Sequence, residues 1–320
     1  MKKIAFLTSG GDAPGMNAAI RSIVKTCLHF DLIPYAIYDG FQGMIEGRGK
    51  VMSENDVENC IQLGGTIIGT ARSKEFMTSA GREKAIEFLK SEAIDGLIVI
   101  GGDGTFAGAM LLGIEMNIPI IGIPGTIDND IKGTDYTIGF DTALNTVVTS
   151  IDKIRDTASS HHRVFLVEVM GKDAGSLAID SALCSGTETV LIPEETTDLQ
   201  KLITQIQHNI NLKKATIVII AEGDDAGNST LILEKLKPYF PDTSIRQTIL
   251  GHIQRGGSPS AKDRLLATTM GNFAVNAINA GETNKMVASL NSQIALQDLS
   301  EIGKSFSEFN DKLRLLSEFE

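Results

Sequence analysis

The sequence predicts an α/β protein of two lobes, each a mostly parallel sheet flanked by helices. Three observations predict it. The apolar runs Leu97–Ile100 and Ile118–Ile123 are continuous rather than alternating, the mark of strands covered on both faces. Such runs alternate with segments of helical period, the rhythm of βαβ units. After residue 140 the rhythm begins again, and 320 residues are roughly two domains' worth of chain.

In order, Ile4–Leu7 is a short strand that ends in a glycine-rich turn, Gly10–Gly15. Ile20, Ile23, Val24, Cys27 and Leu28 then share one helical face, with Arg21 and Lys25 four residues apart on the same helix. The strand Leu97–Ile100 runs into Gly101-Gly102-Asp103-Gly104, and a helix is expected over Phe106–Met116 before the strand Ile118–Ile123. Asp141 is placed to cap a helix whose face is Leu144, Val147, Val148, Ile151 and Ile154. Strand patterns return at Val164–Val169, Val190–Ile192 and Ile217–Ala221, and Leu199, Leu202, Ile203, Ile206 and Ile210 line another helix. With no Pro- or Ser-rich linker and no repeat, closely joined lobes are expected.

Hydrophobic residues make up 42 % of the chain, enough for a full core. The 29 basic and 40 acidic residues give a net charge of −11, which argues against broad contact with nucleic acid or an anionic membrane. An anionic ligand therefore needs a local cluster of cations. Cys27, Cys60 and Cys184 are odd in number and lack CxxC spacing, so they fit neither a disulfide framework nor a zinc site. The first apolar run is too short for a signal peptide, and no run approaches the ~20 residues of a membrane span. A soluble, cytoplasmic protein is expected.

Ligands of open α/β sheets sit at the carboxyl ends of strands, so the strand-end loops carry the chemistry. Gly10 to Asn17 has the glycine spacing of a Walker A loop, but Met16-Asn17 stands where Lys and Ser/Thr would be needed. The segment fits a backbone anion site at a helix N-terminus, or equally a tight turn with no ligand. Gly102 to Ala107 matches a loose dinucleotide fingerprint, with Asp128 about 20 residues further on. Asp103 inside that loop would repel a pyrophosphate unless a cation lay between, which favours Mg²⁺ and phosphoryl transfer over hydride transfer. In Pro124 to Asp130, Asp128 and Asp130 fit either a solvated Asx turn or a carboxylate placed to take a proton from an attacking hydroxyl. Arg72, Arg163, Arg246 and Arg255 are each compatible with a surface role, yet together they supply the planar forks that phosphate prefers. Glu222 suits sugar hydroxyls or plain solvation, and His252 suits catalysis or a structural hydrogen bond.

Four segments together, Leu7 to Asn17, Gly101 to Gly104, Pro124 to Asp135 and Gly251 to Gly257, closely resemble the bacterial ATP-dependent 6-phosphofructokinases. The likeness runs from residue 1 to about 285. It implies transfer of the ATP γ-phosphoryl group to the 1-hydroxyl of fructose 6-phosphate, with the active site in a cleft between the lobes. Asp128 would be the general base, with Thr126, Asp130 and Lys172 beside it, and Asp103 would carry Mg²⁺. Gly11, Arg72, Ser73, Gly102, Gly104, Thr105 and Gly108 would line the nucleotide site. The sugar phosphate would meet Thr126, Asp128, Met170, Gly171, Lys172, Glu222, His252 and Arg255, with Arg163 and Arg246 supplied by a neighbouring subunit of a homotetramer. The resemblance implies a nucleotide-binding lobe of residues 1–139 plus 256–304 and a sugar-phosphate lobe of 140–255 plus 305–320. Arg21, Lys25, Arg155, Glu188 and Lys213 resemble a site for an ADP or phosphoenolpyruvate effector, but Glu54 and Asn211 stand where cations are usual. Lys172 likewise replaces a customary arginine, which keeps the charge and loses the fork.

Two other readings fit parts of the pattern: a non-catalytic two-lobed sugar-phosphate sensor, and a pyrophosphate-dependent phosphofructokinase. Relatives that use pyrophosphate resemble this chain but carry Asp and Lys at the positions of Gly104 and Gly125. Glycine at both is expected to leave room for the α-phosphate of ATP.

Overall fold

The computed structural model describes residues 2–161, 163–187, 189–304 and 309–318. The chain divides into two compact units: Met1–Ile127, Ile131–Thr142 and Arg255–Ser305 form the first, and Asp128–Asp130, Ala143–Gln254 and Phe306–Glu320 the second. Glu188 of the expected effector site and residues 305–308, where the last crossing between lobes is expected, lie outside the described residues.

The first unit holds strands β1 (Lys3–Thr8), β2 (Ile33–Ile37), β3 (Gly49–Val51), β4 (Gly96–Gly101), β5 (Ile120–Thr126), β6 (Ile138–Gly139), β11 (Lys285–Leu290) and β12 (Gln293–Asp298). Its helices are α1 (Met16–His29), α2 (Gly40–Ile45), α3 (Ser79–Ser91), α4 (Asp103–Met116) and α9 (Ala261–Asn279). The sheet order is β12-β11-β5-β4-β1-β2-β3, with β6 beside the end of β5. β3 and β12, at the two edges, pair antiparallel. The residues of β4 and β5 are all buried, as continuous apolar runs require, and Phe6 faces Ile98, which in turn faces Ile121. On one side Leu7, Phe41, Met44, Leu89, Phe106 and Leu112 form the core. β11 and β12 are joined by Asn291-Ser292, both left-handed (φ 50° and 64°), the geometry of a two-residue hairpin.

The order matters for function. From β1 the chain moves outward to β2, whereas β4 pairs with the other side of β1 and continues to β5. This reversal is the topological switch point at which open α/β sheets bind ligands. The loops after β1, β4 and β5 leave the carboxyl ends of three adjacent parallel strands there.

The second unit has four parallel strands in the order β10 (Ile245–Ile249), β7 (Val164–Val169), β9 (Thr216–Ala221), β8 (Thr189–Leu191). Helices α6 (Ser176–Ser185), α7 (Leu199–Asn211), α8 (Ser229–Leu236) and α10 (Asn310–Ser317) accompany them, and α5 (Phe140–His161) leads in. Val164, Leu166, Leu202, Ile206, Val218, Ile220 and Ile232 make its core. Asp198 caps α7 by accepting the Lys201 N–H at 3.0 Å, and Asn228 caps α8 through the Leu231 N–H. Among the described residues no helix is long and apolar enough to cross a membrane.

Two local expectations are corrected. Asp103 is the first residue of α4 rather than part of a free loop, because the helix starts three residues before Phe106. Asp141 lies in the first turn of α5 instead of capping it, and its Oδ2 accepts a hydrogen bond from Ser260 at 2.6 Å.

Candidate active site

In the first unit the loop after β1 is fixed by side chains that make no use of a ligand. Asn17 is 1 % exposed; its amide donates to the carbonyls of Leu63 and Gly64 and its Oδ1 accepts the Ile67 N–H at 2.7 Å. Thr8 Oγ1 donates to the Gly69 carbonyl and Thr70 Oγ1 to the Gly10 carbonyl. The segment that delivers Arg72 and Ser73 is thereby tied to the Gly10 turn, which explains an asparagine where a P-loop would carry its Ser or Thr. Arg72 is exposed, and Ser73 Oγ donates to Gln42 and accepts the Phe76 N–H.

At the start of α4, Gly102 is the N-cap and Asp103 the first helical residue, so the carboxylate sits at the positive end of the helix dipole. A Cβ built at Gly102 or Gly104 meets no atom within 4 Å, so the space in front of this helix end is open. Among the described residues there is no cluster of three acidic, His or Cys side chains able to hold a metal ion. A lone carboxylate beside an open helix N-terminus fits Mg²⁺ that arrives on nucleotide phosphates, since this ion is commonly held by one or two carboxylates plus the substrate.

Three residues expected near the nucleotide also hold the unit together. The Thr105 hydroxyl is buried and donates to the Ser9 carbonyl at 3.1 Å, joining the β1 and β4 loops. Gly108 faces the stacked rings of Phe41 and Phe76, which a Cβ would approach to 3.2 Å. At Gly125 a Cβ would meet Ile100 and Met16 at 3.1 and 3.2 Å, so this glycine serves close packing against both.

The β5 strand ends at Thr126, whose carbonyl accepts the Thr137 hydroxyl at 2.6 Å. Asp128 and Asp130 follow, each 7 % exposed, around Asn129 in left-handed conformation (φ 50°). Both carboxylates are thus buried rather than solvated. Arg255 Nη1 donates to the Asp12 carbonyl at 3.2 Å, and its guanidinium covers Gly11.

In the second unit β7 leads into Met170, Gly171 and Lys172, with Gly171 at φ 145° and Lys172 left-handed at φ 55°. Glu222, which follows β9, accepts the Lys172 N–H at 2.9 Å. His252 is exposed in the short helical turn Gly251–Arg255 after β10. Arg163 and Arg246 lie elsewhere. Both stand at the amino ends of the paired strands β7 and β10, where Ile245 faces Val164. The six residues of β7 separate Arg163 from Met170, roughly 20 Å at strand rise. One chain therefore does not bring these two groups together.

Of the effector candidates, Lys25 is ion-paired with Glu54, and Arg155 donates to the Ser185 carbonyl and the Thr187 hydroxyl. Arg21 is half-buried on α1, and Lys213 is exposed with φ 53°.

Sequence reasoning missed Asp263. It is 1 % exposed and accepts hydrogen bonds from the Gly139 N–H, the Thr142 N–H and the Thr142 hydroxyl; burial raises its carboxyl above the usual range. Its signal was a Ser260-x-x-Asp263 start to α9, a capping pattern with Asp in place of Glu or Gln.

The family described as phosphofructokinase matches residues 3–278. The chain is 49 % identical to the ATP-dependent 6-phosphofructokinase of Macrococcus caseolyticus over 318 residues, 99 % of this chain and 98 % of that one. It is 47 % identical to ATP-dependent 6-phosphofructokinase 1 of Thermus thermophilus over 319 residues, 99 % of each chain. Its fold is similar to the solved structure of phosphofructokinase from Saccharomyces cerevisiae, with a TM-score of 0.86 at 35 % identity. That likeness covers 99 % of this chain and 46 % of the yeast chain, so this chain spans less than half the yeast length.

Proposed function

Because the chain belongs to the ATP-dependent 6-phosphofructokinase family, we propose that it transfers the γ-phosphoryl group of ATP to the 1-hydroxyl of fructose 6-phosphate. The observation that carries this reading is the set of three loops at the carboxyl ends of adjacent strands β1, β4 and β5, with an open helix N-terminus at one and buried aspartates at another. Phosphoryl transfer asks chiefly for positioning and charge stabilisation, which such loops provide.

Asp128 takes the proton of the 1-hydroxyl as its oxygen attacks the γ-phosphorus, and the bond from that phosphorus to the β,γ-bridging oxygen breaks to leave ADP. Burial keeps water from competing for that proton. Asp103 would hold Mg²⁺ that arrives on the nucleotide, and the ion would supply charge neutralisation at the phosphates. Backbone N–H groups of Gly102 and Gly104 face the donor phosphates. Gly11, Arg72 and Ser73 border the nucleotide, while Thr105 and Gly108 support it from within. Thr126 and Asp130 shape the pocket around the attacking oxygen, and Lys172 offers its ammonium to the transferring group. Met170, Gly171, Glu222 and His252 receive the sugar.

Residues 1–139 with 256–304 act as the nucleotide-binding lobe, and 140–255 with 305–320 as the sugar-phosphate lobe. Arg255 grips the 6-phosphate from its own chain, and Arg163 and Arg246 grip that of a neighbour in a homotetramer. The strand-length separation of Arg163 from Met170 supports this division of labour. A cytoplasmic, glycolytic setting suits three free cysteines. The decisive experiment mixes the protein with ATP, Mg²⁺ and fructose 6-phosphate and measures fructose 1,6-bisphosphate. ATP turnover with no sugar bisphosphate formed would refute the assignment.

A further inference from the structure

We infer that Gln254 is a positioning residue for the sugar phosphate, a role that rests on Met170, Lys172 and His252 being its binding residues. Gln254 is 0 % exposed, and its carboxamide bridges two segments. Oε1 accepts the Met170 N–H at 3.1 Å, and Nε2 donates to the Gly251 carbonyl at 2.9 Å. Met170 is the first residue past β7, and Gly251 opens the turn that carries His252 past β10.

β7 and β10 are parallel neighbours whose register runs from Val164–Ile245 to Glu168–Ile249, and the Leu250 N–H still reaches the Glu168 carbonyl at 3.1 Å. Beyond that rung the two chains diverge into their loops, and the Gln254 side chain adds one more rung between them. A carboxamide suits this place because the site needs an acceptor at one end and a donor at the other. An ionised glutamate would set an oxygen against the Gly251 carbonyl, and a methionine would remove both bonds and take from the Met170 N–H the acceptor it has here.

The segment it holds does not adopt its shape unaided. Gly171 and Lys172 occupy positive φ, and the Lys172 N–H is tied to Glu222. Met170 to Lys172 is thus clamped at both ends, by Gln254 and by Glu222. Gly251 is itself left-handed at φ 54°, so His252 depends on the same carboxamide for its place. Releasing the clamp displaces sugar-binding groups, and neither of the two bonds lost is made to the loops after β1 and β4.

The test is steady-state kinetics on the full-length enzyme, with each substrate varied at saturation of the other, for Gln254→Met, Gln254→Asn and His252→Ala. Gln254→Met is expected to raise the KM for fructose 6-phosphate by roughly ten-fold, the scale of a buried hydrogen-bond pair lost, while the KM for ATP stays within two-fold. Gln254→Asn, able to keep one of the two bonds, should fall between it and the wild type. Should Gln254→Met fail to fold, Gln254→Asn is judged on the same split between substrates. If His252→Ala raises the sugar KM and the folded Gln254 variants do not, or if they raise both KM values alike, the inference about Gln254 is wrong. If neither His252→Ala nor the Gln254 variants move the sugar KM, the placement of the sugar site falls, and this inference with it.

Discussion

An aspartate introduced at Gly104 should separate the fold from the nucleotide. Gly104 is the second residue of α4, its φ is not positive, and a Cβ there points into open space. Replacing a helical glycine gains about 0.5–1 kcal/mol, and an acid in the first turn adds about 0.3–1 kcal/mol through the helix dipole. Repulsion from Asp103 next door offsets part of this, so stability should hold or rise slightly. The ligand meets the opposite situation. A carboxylate about 5 Å from a phosphate, at an effective dielectric of about 20, costs roughly 3 kcal/mol per unit of phosphate charge. At 1.36 kcal/mol per decade that is about two orders of magnitude in the use of ATP. The assay pairs a thermal melt with initial rates over a range of ATP at saturating Mg²⁺ and fructose 6-phosphate. A Gly104→Asp protein that melts normally and keeps its ATP KM within about three-fold would remove the α4 N-terminus from the nucleotide site.

Asp128→Ser should lower kcat by about 10²–10⁴-fold with little change in melting temperature, as loss of a general base does; near-normal turnover would take Asp128 out of the mechanism. Asp128→Ser and Arg163→Ser chains, each inactive alone, should recover activity when refolded together, and verified hybrids without activity would show that each chain builds its site unaided. ADP and phosphoenolpyruvate should shift the fructose 6-phosphate saturation curve only weakly, because Glu54 occupies Lys25, and Glu54→Ala should strengthen whichever effect exists. Burial raises the Asp263 carboxyl, so the contribution of its protonated form to stability is fully present below the ordinary carboxylate pKa and is lost as pH rises through the raised value. The melting temperature of wild type minus that of Asp263→Asn should therefore fall as pH rises above the ordinary carboxylate range, and a difference that rises with pH contradicts the sign.

The central strands were legible because burial on both faces leaves an unmistakable apolar run, and β1, β4, β5, β7 and β9 all carry one. Edge strands carry no such run. β10 (Ile-Arg-Gln-Thr-Ile) and β12 (Gln-Ile-Ala-Leu-Gln-Asp) have residues that are half-buried or exposed, and their place depends on partners far along the chain. Helix α9 went unassigned because small residues, Ala267, Gly271, Ala274 and Ala277, are interspersed with the larger Met270, Val275 and Ile278 on its buried side, and at Gly271 the backbone of α1 comes close. At the site, charged residues at strand ends announced themselves by type. Gln254 and Asn17 did not, since a neutral amide becomes informative only when both of its bonds are seen. Gly125 is ambiguous for the opposite reason: an absent side chain looks the same in sequence whether it makes room for a ligand or for a neighbouring isoleucine.

The first unit is assembled from three separate stretches, and this sets a timetable for synthesis. When residue 142 has left the ribosome, β5 has β4 on one side, but β11, which pairs with Ile121 and Gly122 on the other, has not been made. α9, which packs on α1, is missing too. At typical elongation rates the nascent chain waits roughly 8–30 s for residue 298 to complete the hairpin. During that interval the sheet of the second unit is translated, since its four strands all lie between residues 164 and 249. That later sheet is thus the one able to close first, although its unit still awaits α10, while the amino-terminal sheet holds an open strand edge that other nascent chains can find. Expression yield should therefore respond to chaperone supply and to codon choice between residues 143 and 298 more than to changes in the amino-terminal segment itself.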